Sequence, residues 1–332
     1  MSGSRSWGWL DHLRSGGTTP WAEWDETASS SGARIPSAQH LELLRRVNLA
    51  AGGRLAPGMA DRLLAAPTTG RGRGDLGLSG EAASAFGPAP VDPGTLTADD
   101  VLRVAAAALT RELVTAGPGA RRVEPLRRVR LVRRWRRTQR VELLAGPYDA
   151  VLADAWNVAC FSGTVRPWAQ WLRRAHRQDT APPRADLVGI AAHWARVAGP
   201  DRVVVHTSPG LSALPTPAAR SAAAGELARH VRMALSTAVP PEQRAALLAG
   251  PLLTWLGRLR GDVGPPAGVP TEVAGWAATE ATRQRDGLLA AGYEFVGDPD
   301  LLRPTAEHGT MPTAQAALDL AVRLLVMRGE SS

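Results

Sequence analysis

Asp186-Leu-Val-Gly-Ile-Ala-Ala-His-Trp-Ala-Arg-Val-Ala-Gly-Pro-Asp-Arg-Val-Val-Val-His206 passes from a helical pattern into a strand. Leu187 to Val197 reads as the amphipathic part of a helix over 184–198, and Arg202-Val-Val-Val-His206 as a short β-branched strand. Three more runs share that texture: Val129-Arg-Leu-Val132, Ala150-Val-Leu-Ala153 and Tyr293-Glu-Phe-Val296. Helical patterns lie between and beyond them at 134–145, 165–176, 217–236, 242–259 and 271–291, with a last one at 313–328. Strands alternating with helices predict an α/β domain over 119–332, a parallel sheet flanked by helices.

Upstream the texture is different. Leu41, Leu44 and Val47 share one face of a helix that Ser37 can cap, and Pro57 opens a second short helix through Leu63-Leu64. Residues 67–96 hold eleven glycines and prolines, the density of a loop or linker. Thr97-Ala-Asp-Asp100 has the capping-box pattern and opens a helix that stops at Gly117-Pro118-Gly119. A helical N-terminal extension, 1–118, is therefore expected before the α/β domain.

The chain has 332 residues, of which 44% are hydrophobic and 21% charged, a mix suited to a folded core rather than to disorder. A single cysteine, Cys160, excludes a disulfide framework and a multi-cysteine metal site. No histidines stand at ligand spacing, so no metal centre is expected. The N-terminus lacks the apolar run of a signal peptide. The longest uncharged apolar stretch, Ala245–Gly257, is shorter than the ~20 residues a membrane span needs, and its Gly-Pro pair suggests a kinked core helix. A cytoplasmic protein without a membrane partner is expected.

The net charge is +8, and every cation is arginine, since the chain has no lysine. Ten arginines against one acid, Glu124, lie between Arg121 and Arg140, so the excess is concentrated there. Such a block can be a solvated face, a site for an anionic nucleotide or sulfate, or a nucleic-acid surface with Trp135 for stacking. No nucleic-acid recognition motif accompanies it, which sets that last reading behind the others.

Ligands of open parallel sheets sit beyond the carboxyl ends of the strands. On the predicted strands that rule selects Arg133, Arg134, Arg136, Arg137 and Thr138 after the first, and Asp154 after the second. His206 at the end of the third can serve as a general base toward an acceptor hydroxyl. Asp154 can hold His206 or bind a cation, and it can equally cap a helix starting at Ala155. Arg133 to Arg137 would stand at the start of the following helix, where cations oppose the helix dipole unless an anion or carboxylates neutralise them. Asp99 and Asp100 are the alternative partners there.

Three stretches carry a resemblance. They are Pro167-Trp-Ala-Gln-Trp-Leu172, Gly199-Pro-Asp-Arg-Val-Val-Val-His206, and the tail Gly275-Trp-Ala-Ala-Thr-Glu-Ala281 with Ala291-Gly-Tyr-Glu-Phe-Val-Gly-Asp-Pro-Asp-Leu-Leu-Arg-Pro304. Over 127–305 the chain resembles the bacterial sulfotransferase-like proteins. That resemblance implies a P-loop α/β fold and transfer of a sulfuryl group from PAPS to a hydroxylated small molecule or glycan. It also implies a glycine-bearing phosphate loop after the first strand, where this chain has Arg133 to Arg137 and no glycine. Arg14-Ser-Gly-Gly-Thr-Thr19 is similar to that loop, but no strand precedes it. In the family an arginine after a later strand, and a serine eight residues on, grip the cofactor's 3′-phosphate. Ser162 stands eight residues after Asp154, with Arg166 as a compensating cation. A carboxylate ~4 Å from a phosphate would cost on the order of 4 kcal/mol at an effective dielectric of ~20.

Two functions follow. One is a PAPS-dependent sulfotransferase with His206 and Asp154 at the acceptor and Arg133, Arg134, Arg136, Arg137, Thr138, Ser162 and Arg166 on the cofactor. The other is the same scaffold without catalysis, serving in binding or assembly.

Overall fold

Val141, Leu143 and Ala145 alternate with Arg140, Glu142 and Leu144, the two-residue period of a strand, and they are buried to 1%, 1% and 0% exposure. The computed structural model places them in β2 (Thr138–Ala145), paired antiparallel with β1 (Val129–Arg134). It describes residues 38–53, 58–64, 83–84, 87–88, 97–116, 128–134, 138–163, 166–236, 239–261, 263–305 and 309–330. β3 (Val203–Thr207) and β4 (Glu294–Val296) complete a sheet in the order β1-β2-β3-β4. β2, β3 and β4 run parallel, with Leu143 opposite Val205 and Val205 opposite Phe295.

Between β2 and β3 come α4 (Tyr148–Ser162), α5 (Trp168–Gln178) and α6 (Leu187–Ala198). Between β3 and β4 come α7 (Pro217–Arg220), α8 (Ala222–Leu235), α9 (Pro241–Leu247), α10 (Leu253–Arg258) and α11 (Thr271–Ala290). α6 packs on β2 and β3, and α11 packs on α4, α5 and α6. The expected α/β class is therefore present, with helices and a three-strand parallel sheet, and with strands at three of the four expected places; β1, expected parallel like the others, joins antiparallel.

Two expectations need correction. Residues 150–153 are not a strand: they lie inside α4, where Tyr148, Val151, Leu152, Ala155 and Trp156 recur at helical spacing and are all buried. Residues 138–145 are not a helix but β2, so the first strand feeds a hairpin in which Arg134 pairs with Thr138. Arg133 and Arg134 therefore lead into a hairpin and not into a helix N-terminus, so no helix dipole calls for an anion there. Trp135, Arg136 and Arg137 lie outside the described residues, as do the side chains of Arg133, Arg134 and Thr138.

Other expectations appear as read. Pro251 sits in a π-helical turn, Leu248–Leu252, between α9 and α10, which is the kink its Gly-Pro pair suggested. Trp168 is buried, stacks on Trp171 at 5.7 Å and donates from Nε1 to the Gly268 carbonyl at 2.6 Å, so the Pro-Trp-Ala-Gln-Trp motif works in packing. Cys160 is buried.

The chain divides into two units. The first comprises Met1–Pro118, His230–Leu247 and Ala314–Ser332, and the second Gly119–Arg229 and Leu248–Thr313. The first contains α1 (Ala38–Ala50), α2 (Met59–Leu64), α3 (Ala98–Ala116) and α12 (Ala314–Glu330). α12 packs on α3 and α1. The Thr97 capping box is formed: its Oγ1 accepts from the Asp100 amide at 3.2 Å, and its own amide donates to Asp100 Oδ2 at 3.3 Å. Ala83–Ser84 and Gly87–Pro88 make a two-residue antiparallel ladder. The rest of the 67–96 stretch lies outside the described residues, as does Arg14–Thr19.

Candidate functional site

β2 and β3 end side by side at Ala145 and Thr207, and the chain beyond each opens on a cleft of about 630 Å³ in the second unit. Pro147, Asp149 and Asp154 from the β2 side and Gly210 and Ser212 from the β3 side line it. Arg220, Ser221, the 264–269 segment and Thr305 complete its wall. The 264–269 segment is held against 309–310 by a parallel bridge, Ala267 to Thr310, with Gly268 donating to the Thr310 carbonyl at 3.1 Å. The cleft thus occupies the carboxyl edge of the parallel strands, the place where α/β sheets bind ligands.

Asp154, in the middle of α4, is buried at 6% exposure and accepts from three protein donors. Arg128 Nη2 reaches Asp154 Oδ2 at 2.5 Å, Ser212 Oγ donates to Oδ1, and the Ala213 amide donates to Oδ2 at 3.3 Å. Arg128 also donates to the carbonyls of Leu144 at 3.3 Å and Val151 at 3.2 Å. Burial pushes the Arg128 guanidinium below its ordinary value, against the opposing pull of Asp154. This buried pair ties the start of β1 to α4 and to the 208–216 loop. It is a positioning element, not a free base.

Arg220 pins the same loop from the other side. Its Nη1 donates to the Gly210 carbonyl at 2.7 Å and its Nη2 to the Leu214 carbonyl at 3.3 Å, while its Nε is buried without a partner among the described residues. Asp149, in the first turn of α4, accepts from Thr305 Oγ1 at 3.0 Å and from the Thr305 amide at 3.4 Å.

His206 is elsewhere. Its register partner Leu144 alternates with Leu143, so His206 stands on the sheet face opposite to Val129 and Leu143. There its Nε2 lies 3.7 Å from Glu142 Oε1, and Arg140 Nη2 donates to Glu294 Oε1 at 2.9 Å on the same face. His206 does not line the cleft, and the structure does not bring it together with Asp154. Ser162 ends α4, donating to the Val158 carbonyl at 2.6 Å and accepting from Arg184 Nη2 at 3.3 Å. Arg166 is exposed and contributes its carbonyl to Trp156 Nε1 at 3.1 Å. Arg184, Asp154, Ile190 and Trp194 border a second, smaller cavity of about 240 Å³.

The position of β2 changes how the implied cofactor grips map. A strand ending at Ala145 puts the arginine position at Gly146 and the serine position, eight residues on, at Asp154. A Cβ on Gly146 would stand 2.9 Å from the Ser208 carbonyl oxygen, so a longer side chain does not fit there. Asp154 is a carboxylate already committed to Arg128 and Ser212. With β1 leading into a hairpin instead of a loop and helix, the described residues do not fit the PAPS-binding pattern the resemblance implies.

Among the described residues, no group of three metal-ligating side chains comes together, and no helix is long and apolar enough to cross a membrane. No protein-family model, curated protein or solved structure matches the chain. Sequence reasoning missed Arg128, Asp149, Ser212, Arg220 and Thr305. Pro209-Gly210 after the β3 run was the one local signal for the cleft loop, whereas Thr305 reaches Asp149 only through the fold.

Proposed function

We propose that the α/β unit binds a hydroxylated small molecule or a glycan in the cleft beyond β2 and β3, without an adenosine cofactor. The observation that carries this reading is the cleft itself: about 630 Å³ at the carboxyl edge of the parallel strands, with Asp149, Ser212 and Arg220 among apolar proline and alanine walls. A volume of that size suits a sugar or a similarly sized ligand. Gly146 and Asp154 favour binding over PAPS chemistry, because a cation is excluded at one position and an anion is held at the other.

Sulfuryl transfer from PAPS to the same ligand is the second reading, favoured by the position of the cleft on the sheet and by the resemblance over 127–305. A thermal-shift panel separates the two. UDP-sugars and free sugars raise the melting temperature under the first reading, and PAP, PAPS and ATP leave it unchanged. A clear shift with PAP, together with transfer of labelled sulfate from PAPS to a sugar, overturns the cofactor-free reading in favour of the transferase.

A further inference from the structure

The charges of the cleft do not cancel evenly along its wall. Among the described residues its charged side chains are Asp149, Asp154 and Arg220. Asp154 is neutralised by Arg128, from within the protein. Among the described residues Arg220 has two backbone carbonyls as its hydrogen-bond acceptors and no carboxylate, and its buried Nε has no acceptor. A guanidinium has five N–H donors, so most of its capacity is unspent. Ser221, next to it, caps α8: its Oγ accepts from the Ala224 amide at 3.1 Å, and with the Ala222 amide donating to the Pro265 carbonyl at 2.9 Å the helix N-terminus stands buried behind the same wall. The N-terminal turn of α4 opens on the cleft at Pro147 and Asp149. Each helix end adds roughly half a positive charge. Asp149 offsets one of them and, with Thr305 its only hydrogen-bond partner among the described residues, has lone pairs left to accept a ligand hydroxyl. The Arg220 end is left net positive.

We propose that the cleft selects hydroxylated ligands carrying an anionic group, that is, uronates or sulfated sugars, with Arg220 receiving the anion and Asp149 accepting a hydroxyl. The inference rests on the cleft being the ligand site and adds the class of ligand. A guanidinium pairs with planar carboxylate or sulfate oxygens through two parallel hydrogen bonds, which neutral sugars cannot offer.

The test is titration calorimetry at low salt with matched pairs: glucuronate against glucose, and N-acetylglucosamine 6-sulfate against N-acetylglucosamine. An acidic sugar binding at least tenfold tighter than its neutral partner is the expected result, with uronate and sulfate arms telling which anion is preferred. Arg220→Gln should lower the affinity for the acidic sugar at least tenfold more than that for its neutral partner, and Arg220→Lys should retain part of the preference. Because Arg220 also holds the 208–216 loop, the neutral sugar reports whether the cleft of each variant is intact. Equal affinity for acidic and neutral sugars, or a preference that survives Arg220→Gln, overturns the inference and leaves the cleft reading standing. Absence of binding by every sugar overturns both.

Discussion

Tyr148 is fully buried, and its hydroxyl has no hydrogen-bond partner among the described residues. Burial, reinforced by the nearby Glu280 and Asp186 carboxylates, pushes the phenol well above its ordinary range. An acid whose folded-state pKa is raised contributes stability that is present below its unfolded pKa of ~10 and is lost as pH rises past it. Stability should therefore fall above pH ~10 by up to about 1.4 kcal/mol per pH unit from this residue. Tyr148→Phe should remove that share and be neutral or stabilising at pH 7, since an unsatisfied buried hydroxyl costs about 1–3 kcal/mol. Urea denaturation at pH 7 and pH 11 reads both. Asp154 behaves oppositely. Asp154→Ala strands the buried Arg128 guanidinium and should cost about 3–5 kcal/mol. Arg128→Met combined with Asp154→Leu should recover most of that loss, because the uncompensated charge leaves with its partner. A double-mutant cycle by chemical denaturation checks this, and a fully additive pair would refute it.

At the scale of elements, short apolar runs mislead when read in short windows. Ala150-Val-Leu-Ala153 has the composition of a strand, yet it lies in a helix buried almost all round, from Val151 to Val158 without a break, where no apolar stripe marks the helical period. Arg140 to Ala145 supports either period by itself, and pairing with β1 and β3 decides it. The β2–β3 end is tight: Ser208 donates to the Ala145 carbonyl at 3.2 Å, and Gly146 leaves no room for a Cβ against the Ser208 carbonyl. Gly146→Ala should push these strand ends apart at a cost of about 1–3 kcal/mol. Hydrogen exchange at the Ser208 amide should accelerate in that variant, while exchange in α11 stays unchanged. Gly297, at the exit of β4, has φ +106° and would place a Cβ 2.3 Å from the Thr207 carbonyl, so it closes the β3–β4 end in the same manner.

At the scale of the whole molecule, the two units are not two consecutive lengths of chain. The boundary after Pro118 is the one the composition shift marks, but His230–Leu247 and Ala314–Ser332 group with the N-terminal unit. Ala317, Leu318, Ala321, Leu324 and Leu325 of α12 are all fully buried, and α12 packs on α3 and α1. A fragment containing 119–332 alone keeps that apolar face and loses the helices that cover it. It should bind the dye ANS strongly and self-associate on gel filtration, whereas the full chain does neither. A monomeric fragment with no dye binding would show that α12 finds its cover within 119–332.

What the sequence by itself determined is the part of the fold that local chemistry controls. The amphipathic helices from α5 onward, the Thr97 capping box, the kink at Pro251 and the strands at 129, 203 and 294 follow from periodicity, capping groups and β-branched runs. These act over a few residues and need no partner to be legible. Only tertiary structure decided the nature of 138–162 and the place of the site. A strand is stabilised by neighbours distant in the chain, so β2 became recognisable only beside β1 and β3. Once β2 ended at Ala145, the carboxyl edge moved: Asp154 entered a buried pair with Arg128, and His206 turned to the other sheet face. The cleft then formed from Asp149, Arg220 and Thr305, whose separations of 71 (220 − 149) and 156 residues leave no sequence periodicity to read. Burial and charge pairing across such separations depend on the packed chain, and they set the place of the cleft.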